Sequence, residues 1–229
     1  MKLIFIHGSG GCKESWYYQT KHFTDSDAID LPGHPEGEPC TSIDAYVEWL
    51  RGYIQDNEYK DVVIVGHSLG GGIALLYALK YPEDLKGIIS VGSGVRLRVH
   101  PMYLDELKKA IDDPEHYQEP QNTGGDDLIA PKLAKVLEKR RAENGPAITL
   151  NDLLACDKFD IMDRAGEIKV PILALCGTED IMTPPKYTNF MADKIPGTKA
   201  VIIEGGTHMV FAEKPEEVNR ALEGFLKEL

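Results

Sequence analysis

The chain has 229 residues, of which 42% are hydrophobic, enough for one domain with a full core, with or without an insertion. It carries 25 Lys and Arg against 37 Asp and Glu, and the resulting charge of −12 repels phosphate backbones and anionic lipids, which argues against nucleic acid as a partner. The four cysteines lack C-x-x-C or zinc-ligand spacing, and no apolar run approaches membrane-spanning length. We therefore expect a cytoplasmic protein without membrane insertion, metal or cofactor, and the sequence indicates no oligomeric state.

Short apolar runs alternate with helical patterns in the first 95 residues. Each run is bounded by turn residues, as expected of strands buried on both faces of a parallel sheet. In chain order, the predicted elements are a strand at 3–6, a helix around Trp16, a weak strand at 28–30, a helix from Thr41 to about 57, a strand at 62–65, a helix at 70–81 and a strand at 85–91. Thr41 with Asp44 resembles a capping box at the start of the second helix.

The segment 96–165 has helical patterns at 102–111 and 128–141 but no convincing strand, with predicted loops at Gly124-Gly125 and 144–146. Alternation then resumes, with strands at 170–175 and 200–203, a helix at 186–194 and a last helix from Pro215. Repeated strand–helix units imply an α/β fold with helices on both faces of a parallel sheet. We predict a core formed by 1–95 and 166–229, interrupted by a helical cap at 96–165.

The strongest chemical signal is Gly66-His67-Ser68-Leu69-Gly70, which matches G-x-S-x-G between a predicted strand and a predicted helix. A nucleophile on so sharp a turn is exposed at the carboxyl end of the sheet, where α/β sheets bind ligands. The N–H of Leu69, at a helix start, can point at an oxyanion. A glycine-rich turn without chemistry is the alternative interpretation.

A second glycine loop, His7-Gly8-Ser9-Gly10-Gly11, follows the first strand. Ser9 is placed to give a second oxyanion N–H. A dinucleotide-binding fingerprint is less suitable, because Lys13 stands where its third glycine belongs. A plain turn also remains open.

Two later strands each deliver a polar residue to the same end of the sheet. Asp180 follows one strand and His208 follows the next, so the chain order is Ser68, Asp180, His208. This order predicts a triad in which His208 is the base and Asp180 orients it. Glu179 is the nearest competitor for the acid.

Together these elements resemble the α/β-hydrolase superfamily, in particular its small esterase, lipase and C–C hydrolase branches. The resemblance includes Asp30-Leu31-Pro32-Gly33-His34 and spans nearly the whole chain outside the predicted cap. It implies a triad of Ser68, Asp180 and His208 and an oxyanion hole from Ser9 and Leu69. The first two strands of the family are absent, so we expect six mainly parallel strands, with the weak strand 28–30 at an edge.

The expected activity is hydrolysis of small to medium carboxylic esters through an acyl-enzyme. A C–C bond hydrolase or lyase with the same triad, and a weakly catalytic ligand receptor, are the alternatives. Arg96 and Arg98 could bind a substrate carboxylate, although a solvated charge pair is the commoner role. We expect His22, His34, His100 and His116 on the surface or in loops and a structural role for His67. Candidate substrate contacts are Gly8, Trp16, Met102, Leu104, Leu128, Met182 and Met209.

Overall fold

A computed structural model of the chain describes residues 1–114 and 128–229. In these ranges, six strands form one sheet in the order β2-β1-β3-β4-β5-β6, and every neighbouring pair is parallel. The strands are β1 (Lys2–Ile6), β2 (Ser26–Ile29), β3 (Val62–His67), β4 (Leu85–Val91), β5 (Ile172–Gly177) and β6 (Thr198–Ile203). The six-stranded parallel sheet predicted from the sequence is confirmed, and β2 lies at its edge as expected.

Helices cover both faces of the sheet. They are α1 (Tyr17–His22), α2 (Ile43–Asp56), α3 (Leu69–Lys80), α4 (Pro101–Asp112), α5 (Pro131–Lys158), α6 (Pro185–Lys194), α7 (Val210–Glu213) and α8 (Pro215–Leu226). None of the helices in the described ranges is long and apolar enough to cross a membrane.

Side chains of β1 alternate between two hydrophobic cores, because successive residues of a strand point to opposite faces. Ile4 and Ile6 pack into one core with α2 and α3, whereas Leu3 and Phe5 pack into the other. All residues of β3 are buried, which explains why this strand reads as a continuous apolar run.

The start of α2 differs from the prediction by one residue. Ser42, not Thr41, is the N-cap, and its side chain accepts a hydrogen bond from the N–H of Ala45. Adjacent hydroxyl residues give the same sequence signal, and the backbone conformation decides between them.

The chain breaks within the predicted loop at 144–146, but the break is a single residue. Gly145 has a φ of 73° and a ψ of 169° and separates two helical stretches of α5, the second of which was not predicted. Pro146 then begins the second stretch, since proline suits the first turn of a helix. An isolated antiparallel bridge joins Arg96 to Asp160, and the described part of the segment 96–165 contains no strand, as predicted. The predicted loop at Gly124-Gly125 lies outside the described residues.

Candidate active site

Ser68 occupies a sharp turn between β3 and α3. Its φ of 50° and ψ of −112° are uncommon for a residue with a side chain, and such strain clusters at functional sites. The turn is held by a hydrogen bond from the Ser68 N–H to the Val91 carbonyl, at 3.0 Å, and by one from the Ser93 hydroxyl to the Ser68 carbonyl, at 2.7 Å. A Cβ on Gly66 would collide with the Gly70 carbonyl, and one on Gly70 would stand 2.5 Å from the Ile6 carbonyl oxygen, which explains the glycines on both sides of the serine.

Asp180 and His208 meet after the ends of β5 and β6. The Nδ1 of His208 lies 2.9 Å from the Oδ2 of Asp180. Glu179, the competing acid, is exposed, and its described contact is a backbone hydrogen bond to Gly206. The structure therefore pairs His208 with Asp180.

Asp180 is held as a carboxylate. Burial opposes its ionisation, but hydrogen bonds from His208 and from the backbone and hydroxyl of Thr183 outweigh burial and lower the pKa of Asp180 to about 2. A carboxylate can only accept, so the Nδ1 of His208 carries the proton and its Nε2 is left as an acceptor. Thr183 was missed by the sequence analysis, since a threonine in a loop gives no local signal of its partner.

His67 packs behind the imidazole of His208. The ring centroids are 4.6 Å apart, and the Nε2 of His67 lies 3.0 Å from the His208 carbonyl, to which it donates. Burial, together with the nearby His208, lowers the pKa of His67 well below its ordinary value, which keeps it neutral. His67 thus fixes the backbone of the residue whose side chain faces Asp180.

The loop Gly8–Gly11 lies against the Ser68 turn. A Cβ on Gly8 would stand 3.1 Å from the Cβ of Ser68, which shows how closely the two turns approach. Among the hydrogen bonds of the described residues, none is donated by the backbone N–H of Ser9 or of Leu69. Both predicted oxyanion donors therefore lie beside the serine with an N–H that has no acceptor within the described residues.

A cavity of about 270 Å³ opens beside Ser68. Its wall is mostly apolar, with Arg98 and His100 as its basic side chains. The lining residues are Ser68, Leu97, Arg98, Val99, His100, Tyr103, Leu153, Cys156, Ile181, Met182, Thr183 and Tyr187.

Of the candidate substrate contacts, Met182 lines this cavity, and the rest do not. Trp16 is fully buried, with its ring centroid 4.1 Å from that of Phe211, so it is a core residue and its predicted substrate contact is not supported. Met102 and Leu128 are exposed, and Leu104 and Met209 are half-buried away from the cavity wall. The cavity residues that the sequence analysis missed, such as Leu153 and Tyr187, give no signal beyond ordinary helix packing.

The four histidines expected on the surface or in loops have different surroundings. His22 is exposed, and His100 lies on the cavity wall. His34 lies in a loop, as expected, but it is not at the surface: it is 1% exposed and hydrogen-bonds the buried Asp152. His116 lies outside the described residues.

Within the described ranges, no group of three or more His, Cys, Asp and Glu side chains could hold a metal ion.

Known proteins similar to this chain are matched over almost its whole length. The model of the alpha/beta hydrolase family matches residues 3–221. The (E)-2-((N-methylformamido)methylene)succinate hydrolase of Acinetobacter baylyi is 26% identical over 98% of this chain and 90% of its own length. A proline iminopeptidase of Thermoplasma volcanium is 27% identical, over 99% and 88%. A solved structure of a thermophilic esterase is 35% identical and covers 99% of this chain and 90% of that one, with a TM-score of 0.81.

Proposed function

Because the chain belongs to the α/β-hydrolase family, we propose that it is a serine hydrolase that cleaves carboxylic esters of small to medium acyl groups. One observation carries the proposal. Buried Asp180 pairs with His208 at the same end of the sheet as Ser68, and Ser68 stands on a strained turn beside a mostly apolar cavity. The 35% identity to a thermophilic esterase supports the ester as the substrate bond.

The reaction begins when the Oγ of Ser68 attacks the ester carbonyl and its proton passes to the Nε2 of His208. The N–H groups of Ser9 and Leu69 donate to the oxyanion of the tetrahedral intermediate. The intermediate expels the alkoxide, which takes the proton from His208, and the acyl group stays on Ser68. Water then attacks the acyl-enzyme by the same route and releases the acid.

Asp180 stabilises the imidazolium that forms in each half of the reaction. Its 2.9 Å hydrogen bond to Nδ1 also fixes the tautomer that leaves Nε2 free to accept the serine proton. Thr183 donates its hydroxyl to Asp180 at 2.8 Å, so the carboxylate is already oriented before a substrate arrives.

We also propose that the segment 96–165 is the cap that sets acyl selectivity. Tyr103 on α4 and Leu153 on α5 line the cavity beside Ser68. The catalytic groups contact only the reacting ester, so discrimination between acyl chains must come from such lining residues.

A cytoplasmic location is part of the proposal, since a reducing compartment suits four free cysteines.

Labelling and turnover test the assignment. Wild type should react with a fluorophosphonate probe at Ser68 and hydrolyse p-nitrophenyl esters, with a preference among chain lengths. Ser68→Ala should lose both reactions at an unchanged melting temperature. Labelling at another residue, or turnover by the Ala variant, would refute the nucleophile, and labelling without turnover of any ester would favour a ligand receptor.

A second candidate is a hydrolase for substrates that bear a carboxylate, including a C–C bond hydrolase with the same triad. It is favoured by Arg98, a basic residue of the cavity wall. The Acinetobacter baylyi relative is, by its name, a hydrolase of a succinate derivative. Arg98 also donates to the Asp157 carbonyl at 2.6 Å, which holds the side chain at the cavity wall.

Arg96 provides the matched control for this candidate. Both arginines lie within 4 Å of Asp160, yet only Arg98 lines the cavity. Arg98→Met should lower kcat/KM for a monoester of a dicarboxylic acid by about ten-fold relative to its neutral diester, because a charge-assisted hydrogen bond is lost. Arg96→Met should leave the ratio unchanged. Equal effects of the two variants would exclude Arg98 as a carboxylate site.

A further inference from the structure

A buried carboxylate outside the triad holds the loop that carries Ser9. Asp152, on α5, is fully buried. Its Oδ2 accepts hydrogen bonds from the Gly10 N–H and from the Nε2 of His34, both at 2.9 Å. Its Oδ1 accepts from the Tyr46 hydroxyl at 2.7 Å. The ester mechanism proposed above makes no use of this carboxylate, and burying it unpaired would be costly.

The partners of His34 show that it is charged. Its Nδ1 faces the carbonyls of Leu31 and Pro32, at 3.1 and 3.2 Å, and its Nε2 faces Asp152. Carbonyl and carboxylate oxygens only accept, so both ring nitrogens must carry protons. Asp152 and His34 therefore form a buried ion pair, and the Gly10 N–H shares the carboxylate oxygen with the imidazolium.

Helix α5 holds both backbone groups of Gly10. Asp152 accepts from its N–H, and the Nδ2 of Asn144 donates to its carbonyl at 3.0 Å. Gly10 has a φ of 62°, and a Cβ there would collide with the Thr149 hydroxyl. The helix thus approaches the loop too closely for any residue but glycine.

The other neighbour of Ser9, Gly8, is fixed by His7, which directly follows β1. The Gly8 carbonyl accepts from the Nδ1 of His7 at 2.8 Å and from the Gly11 N–H at 3.0 Å. Ser9 thus stands between two residues whose backbone groups are held by buried partners. An oxyanion donor contributes to catalysis only when its N–H already points to where the charge will form.

We propose that Asp152 is a positioning residue, which holds the Ser9 N–H in place for the oxyanion through its hydrogen bond to Gly10. The inference rests on the proposed function. It makes α5 part of the catalytic structure, and not only a wall of the substrate cavity.

The test compares variants of Asp152 with a matched network at the other end of the sheet. Asp84 likewise accepts from a tyrosine hydroxyl and pairs with a cation, through Tyr77 at 2.8 Å and Arg51 at 3.4 Å, but it precedes β4 and lies far from Ser68. Asp152→Ala should lower kcat by roughly 10- to 100-fold with KM within about two-fold, since losing a whole oxyanion donor costs roughly 10²- to 10³-fold. Asp84→Ala should lower the melting temperature and leave kcat within about two-fold.

An inhibitor that mimics the tetrahedral intermediate distinguishes a misplaced Ser9 N–H from a general disruption of the active site. The Oγ of Ser68 adds to the carbonyl of a trifluoromethyl ketone, its proton passes to the Nε2 of His208, and the resulting oxyanion occupies the same hole. Its affinity for Asp152→Ala should fall by the same factor as kcat, while the carboxylic acid product should bind as it does to wild type. Asp152→Asn should recover most of the loss, because its amide oxygen can still accept from Gly10.

The double variant His34→Leu with Asp152→Leu keeps the test decisive if Asp152→Ala does not fold. It removes both charges together, and such replacements of buried ion pairs are often neutral for stability. It should show the same loss of kcat and of ketone affinity. Wild-type kcat and ketone affinity in any folded variant without the acceptor would overturn the proposal. Wild type that neither reacts with the fluorophosphonate nor hydrolyses esters would instead refute the esterase assignment.

Discussion

His7 should make the protein acid-sensitive. It is fully buried, its Nε2 accepts from the Leu31 N–H at 3.1 Å, and its Nδ1 donates to the Gly8 carbonyl. Burial, with the nearby charge of His34, lowers the pKa of His7 from 6.5 to about 4. Between pH 6.5 and about pH 4, His7 is protonated in the unfolded chain but not in the folded chain. The free energy of unfolding therefore falls as the pH falls. At about 1.4 kcal/mol per pH unit, the loss between pH 7 and pH 4 is about 3 kcal/mol.

The variant His7→Gln isolates this contribution. Glutamine retains one donor and one acceptor but has no proton to gain. Urea unfolding followed by tryptophan fluorescence should show that wild type loses about 3 kcal/mol more than the variant between pH 7 and pH 4. His22→Gln, at an exposed histidine, controls for the removal of one histidine from the net charge. Equal acid losses in wild type and His7→Gln would refute the reasoning.

The remaining predictions concern turnover. Asp180→Asn should lower kcat by about 10⁴-fold, because an amide favours the wrong His208 tautomer. Glu179→Gln should lower kcat much less. Steady-state kinetics of the two variants, at equal melting temperature, decide which carboxylate is the acid of the triad. Leu153→Ala should shift the preferred acyl length in a panel of p-nitrophenyl esters by only a few-fold, at about 0.8 kcal/mol per methylene buried. Met102→Ala, at a residue 56% exposed and away from the cavity, should leave the preference unchanged.

The parts of the site that could be predicted are those determined by residues close together in the sequence. Five consecutive residues specify the Ser68 turn. Asp180 and His208 each directly follow a strand, and the carboxyl ends of all strands in a parallel sheet lie at the same edge. The regular succession of strands and helices follows from hydrophobic patterning in the same way, and β4 begins and ends at the predicted residues.

The parts that could not be predicted depend on partners far away in the chain. The sequence places Trp16 close to the glycine loop, but the ring of Trp16 packs against Phe211 from the other end of the chain, with centroids 4.1 Å apart. His34 lies in a turn-like run of glycine and prolines, which favours a loop at the surface, and its burial is decided by Asp152, 118 residues later. No local pattern distinguishes a histidine that will meet a buried carboxylate from one that will face water.

His7 and His34 show how hydrogen-bond partners alone assign charge. Their ring centroids are 4.7 Å apart, yet His7 accepts from a backbone N–H and must be neutral, whereas His34 faces oxygen acceptors at both nitrogens and must be charged. Burial works against the charge of His34, but the hydrogen bond that His34 donates to Asp152 and the negative charge of Asp152 outweigh burial and raise the pKa of His34 above 6.5.

The two histidines therefore give opposite pH dependences. The stabilisation from His34 is fully present below pH 6.5 and is lost as the pH rises through its raised pKa, whereas the contribution of His7 is lost as the pH falls from 6.5 towards 4. The stability that this pair contributes should be greatest close to pH 6.5 and should fall on both sides. In a pH series of urea unfolding, His7→Gln should reduce the loss of stability on the acid side and leave the alkaline side unchanged. The double variant of His34 and Asp152 should remove the loss on the alkaline side, and it should also change the acid side slightly, because the charge of His34 contributes to the lowered pKa of His7. An unchanged alkaline side in the double variant would contradict the assignment of a charged His34.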